Sequence, residues 1–78
     1  MANHRRYIDV VIPEFGVRLE EALNIRGMSQ AELGKRVGRS RKIISMYING
    51  SRYPSFEAFY MICNVLNVSA DWLMELEE

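Results

Sequence analysis

Apolar residues recur at spacings of three and four in five stretches of this chain, each bounded by residues that start or stop a helix. Phe15, Leu19, Ala22 and Leu23 make the first stripe. Pro13 suits a first helical turn and Gly27 a stop, so a helix is predicted from about Pro13 to Arg26, with Arg18, Glu20 and Glu21 on its outer face. The second stripe is Leu33, Gly34 and Val37. Ser29 can cap this helix, while Glu32, three residues on, can reach back to the cap amide and complete a capping box. Gly34 omits a side chain where a crossing helix needs close backbone approach. Gly38 can adopt positive φ, turning the chain sharply before Ser40 caps the next helix. That third helix buries Ile44, Tyr47 and Ile48 and leaves Arg41, Lys42, Ser45 and Met46 on or near its outer side, a face without acids.

Asn49 to Pro54 is turn chemistry, and Ser55 then caps a helix running to about Leu66 with Phe56, Phe59, Ile62, Cys63 and Leu66 inward. Asn67 suits a left-handed stop, Ser69 caps the last helix, and Trp72, Leu73 and Leu76 are expected to close the core. Tyr60, Met61 and Met74 fall off these stripes, and exposed apolar surface of that kind is often a subunit contact. Ahead of the first helix, Met1 to Arg6 is polar, whereas Tyr7-Ile8-Asp9-Val10-Val11-Ile12 is mostly β-branched and ends at a proline. This run is expected to be a short extended segment or strand at 7–12. It either packs across the helices or pairs with the same segment of a second subunit. The expected organisation is therefore an N-terminal extension, 1–12, and one all-α five-helix domain, 13–78.

With 78 residues and 49% hydrophobic content the chain has room for one compact core and no second domain. Cys63 is the lone cysteine and falls on an apolar stripe, which reads as a small buried hydrophobe. His4, the only histidine, lies beside Arg5 and Arg6, so neither a metal site nor a cofactor is expected. No apolar run approaches bilayer length and MANHRRYID lacks the apolar core of a secretory signal; a cytoplasmic protein without a membrane partner is expected. The formal net charge is zero, but it is unevenly placed. Leu33 to Phe56 contains no Asp or Glu while holding Lys35, Arg36, Arg39, Arg41, Lys42 and Arg52. From Glu57 onward there is no Lys or Arg. The positive half coincides with the second and third helices and suits a polyanion.

The Ser29-Gln30-Ala31-Glu32-Leu33 start, the corner Gly38, the Ser40-Arg41 opening and the Ile43-Ile44 to Tyr47 to Gly50 run resemble the Cro/repressor (Xre-like) helix-turn-helix DNA-binding domains of phages and bacteria. Pro54-Ser55 and Asn64 to Leu73 extend the resemblance over roughly Val17 to Leu76. It implies a repressor-like bundle whose helices two and three form the helix-turn-helix, and a function in sequence-specific DNA binding by a small transcriptional regulator, most readily a repressor. Base edges in the major groove are read by side chains near the N-terminus of the entering helix, where Arg41 and Lys42 stand. The resemblance assigns base reading to Arg41, Lys42, Ser45 and Met46 and a phosphate contact to Gln30. Arg39, Ser40, Asn49, Ser51 and Arg52, in the flanking turns, are further phosphate candidates, though Asn49 is equally a turn residue and a solvated loop charge is the lesser reading of Arg52. Ile43 replaces the family's usual small polar residue and either touches sugar and methyl groups or folds back on the core.

Where family members place a buried arginine–glutamate pair, this chain has Leu23 and Ile48, so direct packing of these two is expected. The implied partner is a double-stranded DNA operator bound by a homodimer. An antitoxin or protein-interaction module with autoregulatory DNA binding is the alternative. No acid pair, nucleophile–base set or phosphate-cradling loop suggests an enzyme or a small-molecule substrate.

Overall fold

A computed structural model describes residues 12 and 14–76. Five helices follow in order: α1 Phe15–Arg26, α2 Gln30–Val37, α3 Arg41–Asn49, α4 Phe56–Leu66 and α5 Ala70–Leu73, with no strand among the described residues. The extended segment expected at 7–12 lies outside them except for Ile12, which is neither helix nor strand.

Four of the helices start as the sequence indicates. The hydroxyls of Ser29, Ser40, Ser55 and Ser69 accept hydrogen bonds from the backbone N–H groups of Glu32, Ile43, Ala58 and Trp72 at 3.0, 3.2, 3.1 and 3.0 Å. The expected capping box is only half made: the Glu32 carboxylate turns along its own helix to Arg36, 2.7 Å away, instead of reaching the Ser29 amide. Gly27, Gly38, Gly50 and Asn67 end α1 to α4 in the left-handed region.

The core is one cluster. Leu19, Leu33, Val37, Ile44, Ile62, Leu66 and Leu73 are fully enclosed, with Phe15, Ala22, Leu23 and Tyr47 beside them. α2 packs on α3 and α4, while α1 lies across α3, α4 and α5. Two arginines fasten α1 to the C-terminal elements. Arg26 donates from Nε and Nη2 to the Leu66 and Asn67 carbonyls at 2.6 and 2.9 Å, closing the end of α4. Arg18, expected on the outer face, is instead half-buried: its guanidinium stacks on the Trp72 ring at 5.3 Å and donates to the Trp72 carbonyl.

Two expected core residues are outside. Phe56 is 87% exposed because the inward stripe of α4 is Ala58, Ile62 and Leu66, and at 100° per residue Phe56 falls more than a quarter-turn away from its centre. Leu76 is exposed because α5 stops at Leu73 and Glu75 takes a positive φ, which reverses the chain before it. Met61, expected off the stripe, packs against the core at half-burial, as do Cys63 and Phe59. Burial pushes the Cys63 thiol up, which keeps it protonated and unreactive near neutral pH.

Leu23 and Ile48 both join the core cluster, Leu23 fully and Ile48 at half-burial. At Gly16 the backbone of α1 lies against Ile48 as well: a Cβ there would overlap the Ile48 carbonyl oxygen. Gly16 lies two turns before Leu23, so the crossing of α1 and α3 is set by this absent side chain at the start of α1.

Candidate nucleic-acid interface

The corner between α2 and α3 is built from two glycines. Gly38 takes φ 70°, and a Cβ on Gly34 would overlap the Arg39 carbonyl oxygen, so the turn backbone lies directly on α2. The Arg39 N–H donates to the Gly34 carbonyl at 2.8 Å, which fixes the direction in which α3 leaves. The close approach read from sequence at Gly34 is thus real, and its partner is the turn rather than a crossing helix.

α3 is amphipathic in the expected sense. Ile44 and Tyr47 are buried, Ile43 folds back against the core with Ile48, and Arg41 and Lys42 are exposed. Arg41 and Ser45 stand one turn apart, as do Lys42 and Met46, so the four occupy adjacent ridges of one face, cationic at its N-terminal end and half-buried toward Ser45 and Met46. Among the described residues neither Arg41 nor Lys42 pairs with an acid; the one ion pair there, Arg36 with Glu32, is exposed and lies within α2. Its geometry holds the Glu32 carboxyl below the usual carboxylate range, first through the hydrogen bond from Arg36 and then through that charge and Lys35.

The flanking groups are more engaged than their sequence suggests. Gln30, the first residue of α2, is half-buried, and its carbonyl oxygen has neither a partner nor solvent among the described residues, leaving the carboxamide N–H donors to meet an anion. Ser40 accepts the cap bond at its oxygen and keeps its O–H free to donate. Arg39 curls its Nη1 onto the Val37 and Gly38 carbonyls at 3.3 and 3.2 Å. Asn49 Oδ1 accepts from both the N–H and the O–H of Ser51, at 2.9 and 2.7 Å. This spends the only O–H donor of Ser51 and leaves the amide N–H₂ of Asn49 outward. Arg52 is exposed.

One contributor escaped sequence reading. Tyr53 follows Arg52 in the same loop; its hydroxyl accepts from the Ile12 N–H at 2.9 Å and its ring meets Phe15 edge-on at 5.7 Å. A tyrosine amid turn residues carries no signal of such a bond. The loop after α3 is thereby anchored to the start of α1.

Among the described residues no three His, Cys, Asp or Glu side chains gather to hold a metal ion, and no helix is long and apolar enough to cross a membrane. The arrangement offers instead a rigidly capped helix with unpaired cations at its exposed N-terminal end, beside the N-terminus of a second helix.

A family model described as helix-turn-helix domain matches residues 16–78. Among solved structures, the P22 c2 repressor in complex with the synthetic operator 9T, in the presence of Tl+, is similar at 28% identity. It covers 81% of this chain and 96% of its own, with a TM-score of 0.76. The solution structure of the DNA-binding domain of the P22 c2 repressor is similar at 28% identity, 83% and 86% coverage and a TM-score of 0.75. No curated protein sequence matches the chain.

Proposed function

Since this chain belongs to the helix-turn-helix domain family, we propose that it is a sequence-specific DNA-binding regulator of the repressor type that sets α3 in the major groove of an operator. The observation that carries this is the outer face of α3: Arg41 and Lys42 project from the first turn, with no acid from Leu33 to Phe56 to neutralise them. The major groove accepts a helix of this width, and a guanidinium at its N-terminus can bond bidentately to a guanine edge. Arg41 is the principal reader. Lys42 and Ser45 are secondary donors, and Met46, without a strong donor, offers only apolar contact such as to a thymine methyl. Gln30, with the N-terminal amides of α2, meets a backbone phosphate, helped by Ser40, the Asn49 amide and Arg52. Arg39 can contribute through Nε and Nη2 while Nη1 stays on the turn carbonyls, whereas the Ser51 hydroxyl must leave Asn49 first.

Fold and family are those of DNA-binding regulators. On this reading the protein works on genomic DNA in the cytoplasm by occupying a site. A single copy makes few phosphate contacts, so two copies on neighbouring half-sites about 34 Å apart supply usable affinity.

Selection of bound duplexes from a random-sequence library tests the reading. A defined motif is expected, and Arg41→Ala is expected to lose about 1–3 kcal/mol on that motif and relax preference at one base pair. Enrichment of no motif would refute the proposal, and an unaltered preference in the variant would remove Arg41 from the reading role.

A further inference from the structure

Asn49 is the last residue of α3, Gly50 follows it, and both are exposed. The Asn49 Oδ1 accepts from the Ser51 N–H at 2.9 Å and from the Ser51 O–H at 2.7 Å. These bonds close an Asx-type turn, which folds the carboxamide across the Asn49–Gly50 peptide instead of leaving it extended into solvent. The phosphate contact proposed above uses only the amide donors of Asn49. The same arrangement suits a reaction of the chain with itself.

We propose that Asn49 is a site of spontaneous modification, in which the Gly50 nitrogen attacks the Asn49 carboxamide and a carboxylate replaces it. The consequence drawn from this, loss of affinity for DNA, rests on the DNA-binding reading above. The step needs no oxidant or reductant. The Gly50 nitrogen bonds to Asn49 Cγ and gives up its proton to solvent base, while the Cγ–Nδ2 bond breaks and ammonia leaves with a proton from water. Water then opens the resulting five-membered succinimide at one of its two carbonyls, leaving aspartate or isoaspartate at position 49. One water is consumed and one ammonia released.

Two observations select this residue and a third gates it. The first is access to the nucleophile. Gly50 has no Cβ to shield its nitrogen, whereas Asn24, Asn64 and Asn67 precede the β-branched Ile25, Val65 and Val68, and Asn3 precedes His4. The second is electronic. Negative charge gathers on Oδ1 as the nitrogen attacks, and both Ser51 donors are already bonded to that oxygen, the arrangement that stabilises an oxyanion. The gate is the backbone. The Gly50 N–H is held by the Met46 carbonyl, so attack waits for the last turn of α3 to open, as helix ends do at little cost. A phosphate gripping the Asn49 amide keeps that turn closed, so the protein is protected on DNA and reactive off it.

The full chain should be incubated in mildly alkaline buffer, alone and with the selected duplex, then digested with trypsin, which releases residues 43–52 as a peptide whose only asparagine is Asn49. The free protein is expected to gain the mass of NH₂ replaced by OH in this peptide before any other asparagine reacts. The gain is expected to be slower than in the isolated peptide 43–52 and faster than in the DNA-bound protein. Ser51→Ala is expected to slow it several-fold, and Asn49→Gln, whose extra methylene precludes the five-membered ring, to show none. In duplex binding Asn49→Asp is expected to lose about tenfold against the parent on every sequence alike, since a carboxylate facing phosphate repels without reading bases. Aged parent is expected to drift toward that level while aged Asn49→Gln keeps its starting affinity.

Reaction of another asparagine ahead of Asn49, or an unchanged rate in Ser51→Ala, overturns the proposed chemistry. Mass gain without loss of affinity, or with no protection by the duplex, overturns its consequence and takes Asn49 out of the interface. Failure of fresh protein to bind any duplex sinks the DNA reading instead, and the mass of peptide 43–52 then decides the modification alone.

Discussion

Gly16 lets α1 lie directly on the backbone near the end of α3. In an exposed helix interior, replacing glycine by alanine gains up to about 1 kcal/mol from backbone entropy. Here the added methyl meets the Ile48 carbonyl, a backbone atom that cannot swing aside, and overpacking of this kind costs about 1–3 kcal/mol. The clash wins. Gly16→Ala is expected to lower the melting temperature and to weaken DNA binding beyond its loss of stability, because α3 is displaced; an unchanged melting temperature would show that the two helices separate freely. Gly34 was legible in the sequence, as it falls between a cap and a glycine corner, whereas Gly16 was not, because nothing near Phe15 reveals which helix crosses there. The outer face of α3 was legible because its register follows from the buried Ile44 and Tyr47 on the same helix. The engagement of Arg39 and Ser51 within their own turns depends on rotamers that spacing does not carry.

At the scale of elements, helix boundaries were readable because serine hydroxyls and left-handed stops act over three or four residues. The misplacement of Phe56 has a different origin. Which stripe of an apolar helix faces inward is decided by its neighbours, and α4 carries apolar residues around much of its circumference. Caps also set the position of α3. Ser40→Ala is expected to cost about 1 kcal/mol, read as a fall in melting temperature, with the first turn carrying Arg41 and Lys42 fraying. In α2 the Glu32–Arg36 pair replaces half of the expected capping box and adds a pH term. The folded Glu32 carboxyl titrates below its unfolded value, so its contribution is present above the unfolded pKa and is lost as pH falls through the folded one. Glu32→Gln is therefore expected to narrow the difference in melting temperature between neutral and acidic solution. The change is small, since the pair is exposed. A wider gap in the variant would contradict the assignment.

For the whole molecule, a net charge of zero conceals an uneven distribution, with six of its cations in the acid-free stretch from Leu33 to Phe56 and no cation from Glu57 onward. Two of the arginines, Arg18 and Arg26, are spent on carbonyls at the ends of α5 and α4 and do not count toward the DNA-facing side. With few phosphates neutralised per copy, two copies making about six such contacts are expected to lose on the order of a thousandfold in affinity between about 50 and 200 mM salt. A titration that stays flat across that range would indicate a protein partner in place of DNA. The single phenol bond from Tyr53 to the Ile12 amide has its own reach. It works as a hitch, tying the point where the polypeptide enters the domain to the rim of the reading head. A group introduced at Ile12 itself would therefore stand beside that rim.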